Sequence, residues 1–209
     1  MSNLVSYQLD ARELSCIRGG RVLFENCSFE VGEGEALLIR GKNGSGKTSL
    51  LRILCGLALA ESGTVRWNGQ DILADRIEYL SNMKYLGHLP GVKRELTVRE
   101  NLTLLTALET DDEKVNVVDL AARVGLKQRL SVPCARLSAG QQRRLALAGL
   151  LITTKKLWIL DEPLTALDVH FVEFIENRIQ EHLDHGGIVV LTTHREIELG
   201  EYPVKIVQL

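Results

Sequence analysis

"GKNGSGKT", Gly41 to Thr48, decides the fold of this chain. It fits G-x-x-x-x-G-K-[ST] at every position, and it stands between an apolar run, "EALLIRG", and a helix-periodic one, "KTSLLRILCG". Glycines are needed there because successive backbone N–H groups must wrap phosphate oxygens with no side chain in the way. Lys47 brings a mobile cation to the β- and γ-phosphates, and the Thr48 hydroxyl is a ligand for Mg2+. The candidate nucleotide contacts are Gly41, Lys42, Asn43, Gly44, Ser45, Gly46, Lys47, Thr48 and Ser49. Strand, phosphate loop and helix in that order predict an α/β fold of the P-loop NTPase type.

A second element lies far along the chain. "LWILDEP" is an apolar strand that delivers Asp161 to its carboxyl end, the edge at which α/β sheets bind ligands. Asp161 is placed there to hold Mg2+ through water, since that ion keeps part of its hydration shell. Glu162, one residue on, can accept a proton from an attacking water. "IVVLTTH" is a third apolar strand, and it ends on His194. That histidine leaves the sheet at the same edge, where it orients the water or touches the γ-phosphate, or else serves structure alone. Lys47, Glu162 and His194 are the candidate catalytic residues.

"LSAGQQRRLALAGLL", residues 137–151, begins like a helix built to hold an anion. Ser138 can N-cap it, Gln141 stands three residues on as in a capping box, and Gly140 lets a ligand approach the backbone. It reads as half of a second phosphate site, the alternative being a packing or merely capped helix. Arg143 and Arg144 read individually as charges on a solvated helix face.

Around these motifs the first third of the chain reads as short strands, "YQLDARELSC", "LFENCSFEVG" and "GTVRWNG" among them. From about Glu95 to Leu151 the pattern is helical. "TVRE" forms a capping box at Thr97, and "DEKVNVVDLAARVG", from Asp112, stops at Gly125. Val172, Ile175, Ile179 and Leu183 line one face of a later helix. The expected plan is a single domain, with a nucleotide-binding core from about residues 1–90 and 152–209 and a helical subdomain at about 91–151.

Composition sets outer bounds. Hydrophobic residues make up 45% of 209, enough for a sizeable core, and the formal net charge of −2 gives no global reason to expect nucleic-acid binding. Cys16, Cys27, Cys55 and Cys134 are scattered without a C-x-x-C pair, so neither a zinc site nor a disulfide framework is suggested. No apolar run approaches the roughly 20 residues needed to span a bilayer, so a role at a membrane would depend on other subunits.

Taken together these residues resemble the ATP-binding subunits of ABC transporters over nearly the whole chain. "LSAGQ" is similar to that family's signature motif, with Ala139 where glycine is usual, and "TALD", Thr165 to Asp168, to its D-loop. The resemblance implies a mainly parallel core sheet, an N-terminal antiparallel β subdomain and an inserted helical subdomain. It also implies ATP and Mg2+ as ligands, separate transmembrane permease subunits, and a homodimer in which each ATP lies between one chain's P-loop and the other's signature helix. Ser138, Gly140 and Gln141 would then complete the site around a partner's Lys47, which explains a half-site without its own ligand.

Two positions depart from the family pattern. Arg18 stands where an aromatic residue usually stacks on adenine, a task a guanidinium plane can also perform. His88 replaces a glutamine that usually touches Mg2+, and the ion's preference for oxygen argues for a water-bridged or interface role instead. With "GHLPG" and "LTVREN", these features resemble the branch of the family that serves c-type cytochrome biogenesis at the cytoplasmic face of the bacterial inner membrane. That branch acts in haem export or in release of a haem-loaded chaperone. Another cargo, and a soluble ATPase of the same type, remain the alternatives.

Overall fold

The computed structural model describes residues 7–110 and 115–209. In chain order the elements begin with β1 (Gln8–Arg18), β2 (Arg21–Gly32), β3 (Ala36–Arg40), α1 (Lys47–Leu54), β4 (Ser62–Trp67) and β5 (Gln70–Asp71). Then come α2 (Arg76–Asn82), β6 (Met83–Leu86), α3 (Val98–Glu109), α4 (Val117–Arg123) and α5 (Ala139–Leu147). β7 (Leu157–Asp161), α6 (Val169–Asp184), β8 (Ile188–Thr192) and β9 (Val204–Gln208) complete the fold. Two compact units result. Of the described residues, one holds those up to Tyr85, with Lys155–Glu162 and Ile179–Leu209; the other holds those within Leu86–Thr154 and Pro163–Arg178.

In the first unit, β2, β1, β4 and β5 form an antiparallel sheet in that order. The second sheet runs β6-β7-β8-β3-β9, and β7, β8, β3 and β9 pair in parallel. Every residue of β7 and β8 is buried, as are the first four of β3. Covered on both faces, such strands read as continuous apolar runs rather than alternating ones. Leu9, Leu14, Leu37, Ile39, Leu50, Leu54, Trp67, Ile159 and Val190 belong to one core cluster. Burying each such side chain contributes about 1.5–3 kcal/mol.

The register of the parallel sheet positions the site. Asp161 lies opposite Thr192, and Ile39 also pairs with Thr192 from the other side. Three strands therefore end together, and their carboxyl ends lead into the glycine loop, Glu162 and His194.

In the second unit, α3 starts on the expected capping box. The Thr97 N–H donates to Glu100 Oε2 at 2.7 Å, and the Glu100 N–H donates to Thr97 Oγ1 at 3.2 Å. The Thr97 N–H bond, joined by one from the Thr97 hydroxyl to the same Glu100 Oε2 at 2.7 Å, holds the Glu100 carboxyl below its ordinary value. Asn101 ties the preceding turn, accepting from the Lys93 N–H at 2.8 Å and donating to the Lys93 carbonyl at 2.9 Å. Of the stretch expected to be helical from Asp112, residues 112–114 lie outside those described, and Val115 and Asn116 precede the helix. It begins at Val117, with Asn116 Oδ1 accepting from the Val118 N–H at 2.8 Å.

The solvated-face reading of Arg143 is corrected here. Arg143 is 4% exposed. Its Nε donates to the Pro163 carbonyl at 3.1 Å, and its Nη1 donates to those of Gly87 at 2.9 Å and His88 at 3.4 Å. Arg144 pairs with Asp168 and lies over the Phe171 ring, 4.6 Å from its centroid. Helical periodicity places both arginines on the outside of an isolated helix, whereas residues 163–168 fold back alongside it.

Candidate nucleotide site

The loop between β3 and α1 is closed on itself. The Ser45 N–H donates to the Lys42 carbonyl at 3.1 Å, and Lys47 Nζ donates to the carbonyls of Gly41 at 2.8 Å and Lys42 at 3.2 Å. Gly41 has no room for a side chain: a Cβ there would collide with Ser45 Oγ and lie 2.8 Å from the Leu209 carbonyl oxygen. Gly46 caps α1 in the left-handed region, at φ 105°, and no acidic residue occupies the helix's first turn. The positive end of the helix dipole and the Lys47 ammonium thus act together on whatever anion fills the loop.

Thr48, the second residue of α1, donates from Oγ1 to Asp161 Oδ2 at 2.8 Å. Asp161 is 2% exposed, and its Oδ1 accepts from Thr192 Oγ1, also at 2.8 Å. Thr192 Oγ1 accepts in turn from the Glu162 N–H at 2.9 Å. Glu162 sits at φ 49°, a left-handed conformation that costs a non-glycine residue about 1–3 kcal/mol. That turn directs its carboxylate to His194, with Nε2 to Oε1 at 3.1 Å. An ionised carboxylate has no proton to give, so His194 Nε2 is the donor. His194 is half exposed and Glu162 about one-fifth, so this pair opens outward while Asp161 stays within.

Close by, burial pushes the Cys55 thiol far up, and the charge of Asp161 adds to the effect. Tyr85 is raised to about 12 by burial and then by Cys55 and Asp161. Both remain neutral at physiological pH and offer no nucleophile. The structure therefore brings Lys47, Thr48, Asp161, Glu162 and His194 to one sheet edge. Arg18 lies at the end of β1, its guanidinium donating to the carbonyls of Leu59 at 3.0 Å and Ile17 at 3.1 Å.

The second unit carries the residues expected to form the other half-site. The capping box at Ser138 is formed: the Gln141 N–H donates to Ser138 Oγ at 3.2 Å, and the Ser138 N–H donates to Gln141 Oε1 at 3.1 Å. Gly140 abuts the carbonyl of Ala166, which itself sits at φ 62°. The contacts made by Thr192, Arg143 and Ala166 are ones that the sequence alone did not show. A threonine closing a run of five buried strand residues was the available signal for the first; the other two depend on contacts between distant segments.

The model for the family described as ABC transporter matches residues 24–165. The chain belongs to the ABC transporter family. It is 50% identical over 199 residues to the cytochrome c biogenesis ATP-binding export protein CcmA of Nitrosomonas europaea, covering 94% of this chain and 92% of that protein. The protein of the same name from Aliivibrio fischeri is 45% identical over 201 residues, covering 96% of this chain and 98% of the relative. A solved structure of an ATP-binding subunit of an ABC transporter superposes with a TM-score of 0.76 at 25% identity, covering 89% of this chain and 79% of that one. This ABC transporter chain is accordingly a nucleotide-binding ATPase coupled to transport. Among its described residues no helix is long and apolar enough to cross a membrane.

Proposed function

We propose that this chain is the ATP-hydrolysing subunit of an export complex of c-type cytochrome biogenesis. It works with separate membrane subunits at the cytoplasmic face of the bacterial inner membrane. There it powers haem export or release of a haem-loaded chaperone. The observation that carries this reading is 50% identity, sustained over 94% of the chain, to a protein named for that process. The Thr48–Asp161–Glu162–His194 chain of contacts supports hydrolysis as the source of the work.

On this reading, Lys47 leaves the Gly41 and Lys42 carbonyls for the β- and γ-phosphates, exchanging two neutral acceptors for a polyanion. Thr48 Oγ1 and Asp161 Oδ2, 2.8 Å apart, are hard oxygen donors that fit Mg2+, which needs only one or two protein ligands beside phosphate and water. When bound, that ion neutralises charge developing between the β- and γ-phosphates. Glu162 takes a proton from water as the water oxygen bonds to the γ-phosphorus and the bond to the β-γ bridging oxygen breaks. His194 holds the Glu162 carboxylate and faces the γ-phosphate. Arg18 offers its plane to the base, anchored by the Leu59 carbonyl.

Ser138, Gly140 and Gln141 of one copy close over the ATP held by Lys47 of a second copy. Dimer closure is then favoured by ATP and released by ADP and phosphate, which is how hydrolysis moves the membrane subunits. His88 and the exposed residues Lys93, Arg94 and Glu95 face those subunits. The test replaces the native chain by Glu162→Gln in cells and measures mature c-type cytochromes. We expect their loss, with the chain still recovered alongside its membrane subunits. Undiminished cytochromes would set this function aside.

A further inference from the structure

Four residues of β8, Ile188, Val189, Val190 and Leu191, are buried apolar side chains, and the fifth is Thr192, at 0% exposure. A valine would suit that place by shape. A hydroxyl is tolerated in such a setting only where its hydrogen-bonding capacity is met. Here it is met by two groups at the functional edge: the hydroxyl accepts from the Glu162 N–H at 2.9 Å and donates to Asp161 Oδ1 at 2.8 Å. The direction of both bonds follows from chemistry, since an amide can only donate and an ionised carboxylate can only accept.

Asp161 therefore has two unlike sides. Oδ2 meets the exposed Thr48, where phosphate and metal would approach, while Oδ1 meets the buried Thr192. When Thr48 turns its oxygen toward a cation, Thr192 still holds the carboxylate plane. The same hydroxyl pins the amide of Glu162 in its left-handed turn, the conformation from which the Glu162 side chain reaches His194.

We propose that Thr192 is a positioning residue for hydrolysis: one buried hydroxyl sets the orientation of Asp161 and Glu162 together, without touching nucleotide. The inference rests on the reading of Asp161 as the metal-side carboxylate and Glu162 as the base.

The experiment compares Thr192→Val, Thr192→Ser and Glu162→Gln in the full chain. It measures kcat, KM for ATP, and affinity and stoichiometry for a fluorescent ATP analogue with and without Mg2+. We expect Thr192→Val to lower kcat by about 10- to 100-fold, the scale on which a misplaced reacting group costs rate. KM and metal-free analogue affinity stay within about threefold, and a higher Mg2+ concentration is needed to reach full affinity. Thr192→Ser, which keeps the hydroxyl, restores kcat to within about threefold. Should the valine variant not fold, Thr192→Cys, a weaker donor of similar size, is judged by the same split. Near-native kcat with a valine or cysteine, a parallel loss of kcat and binding stoichiometry, or failure of serine to rescue would each overturn the role of Thr192. Hydrolysis surviving Glu162→Gln would instead overturn the reading beneath it.

Discussion

Gly140 faces the carbonyl oxygen of Ala166 so closely that a Cβ at position 140 would lie 2.6 Å from it. Glycine at this position thus answers to an intrachain contact, beside the approach of a phosphate that the proposed function gives it. The neighbour is backbone, which cannot swing aside as a long side chain would. Gly140→Ala should therefore destabilise the fold by about 1–3 kcal/mol, the usual cost of overpacking a tight site. Urea denaturation of the variant checks this. An unchanged midpoint would mean that residues 163–168 yield easily, and that the glycine serves the ligand alone.

Arg143 makes a second demand on the same region. Its guanidinium supplies donors to the carbonyls of Pro163, Gly87 and His88, and it is almost wholly buried. Arg143→Met fills much of the volume but returns no donor, and leaving the buried Pro163 carbonyl unpaired costs about 1–3 kcal/mol. Arg143→Lys should recover little, because a single ammonium cannot replace the fork of Nε and Nη1. Denaturation midpoints of the two variants, both well below the parent, are the expected result.

A pH dependence follows from Glu35 in the first unit. Burial pushes its carboxyl up, but a hydrogen bond from Lys205, another from the Gly32 N–H and the charge of Lys205 outweigh that and hold it below its ordinary value. Lys205 Nζ lies 2.7 Å from Glu35 Oε2, and the Gly32 N–H lies 2.8 Å from it. A carboxyl depressed in the folded state adds stability that is present above its unfolded value and is lost as pH falls through the folded one. Below the ordinary carboxylate range the parent should lose stability more steeply than Glu35→Gln, and the two curves should converge in acid. Parallel curves from neutral pH downward would contradict this.

What could be read from the chain follows the range of each interaction. The strand, loop and helix over 36–54, the apolar runs of β7 and β8, and the caps at Thr97 and Ser138 are local, so periodicity and spacing were sufficient. Arg143 was misread because its partners at 87, 88 and 163 are invisible to a helical wheel. Thr192 was overlooked beside the more conspicuous His194, since only pairing of β7 with β8 shows that it faces Asp161. Residues 163–178 keep company with the helical unit, beyond the boundary of about 91–151 expected from helical pattern alone.

In the proposed function, ATP is clasped between two copies, by Lys47 of one and the Ser138 turn of the other. The most direct measurement is analytical sedimentation of the Glu162→Gln chain saturated with Mg-ATP, alone and reunited with its membrane subunits. ATP is expected to draw two copies together, and adding Ser138→Arg, which fills the anion site with bulk, is expected to abolish the pairing. A single copy under both conditions would contradict it.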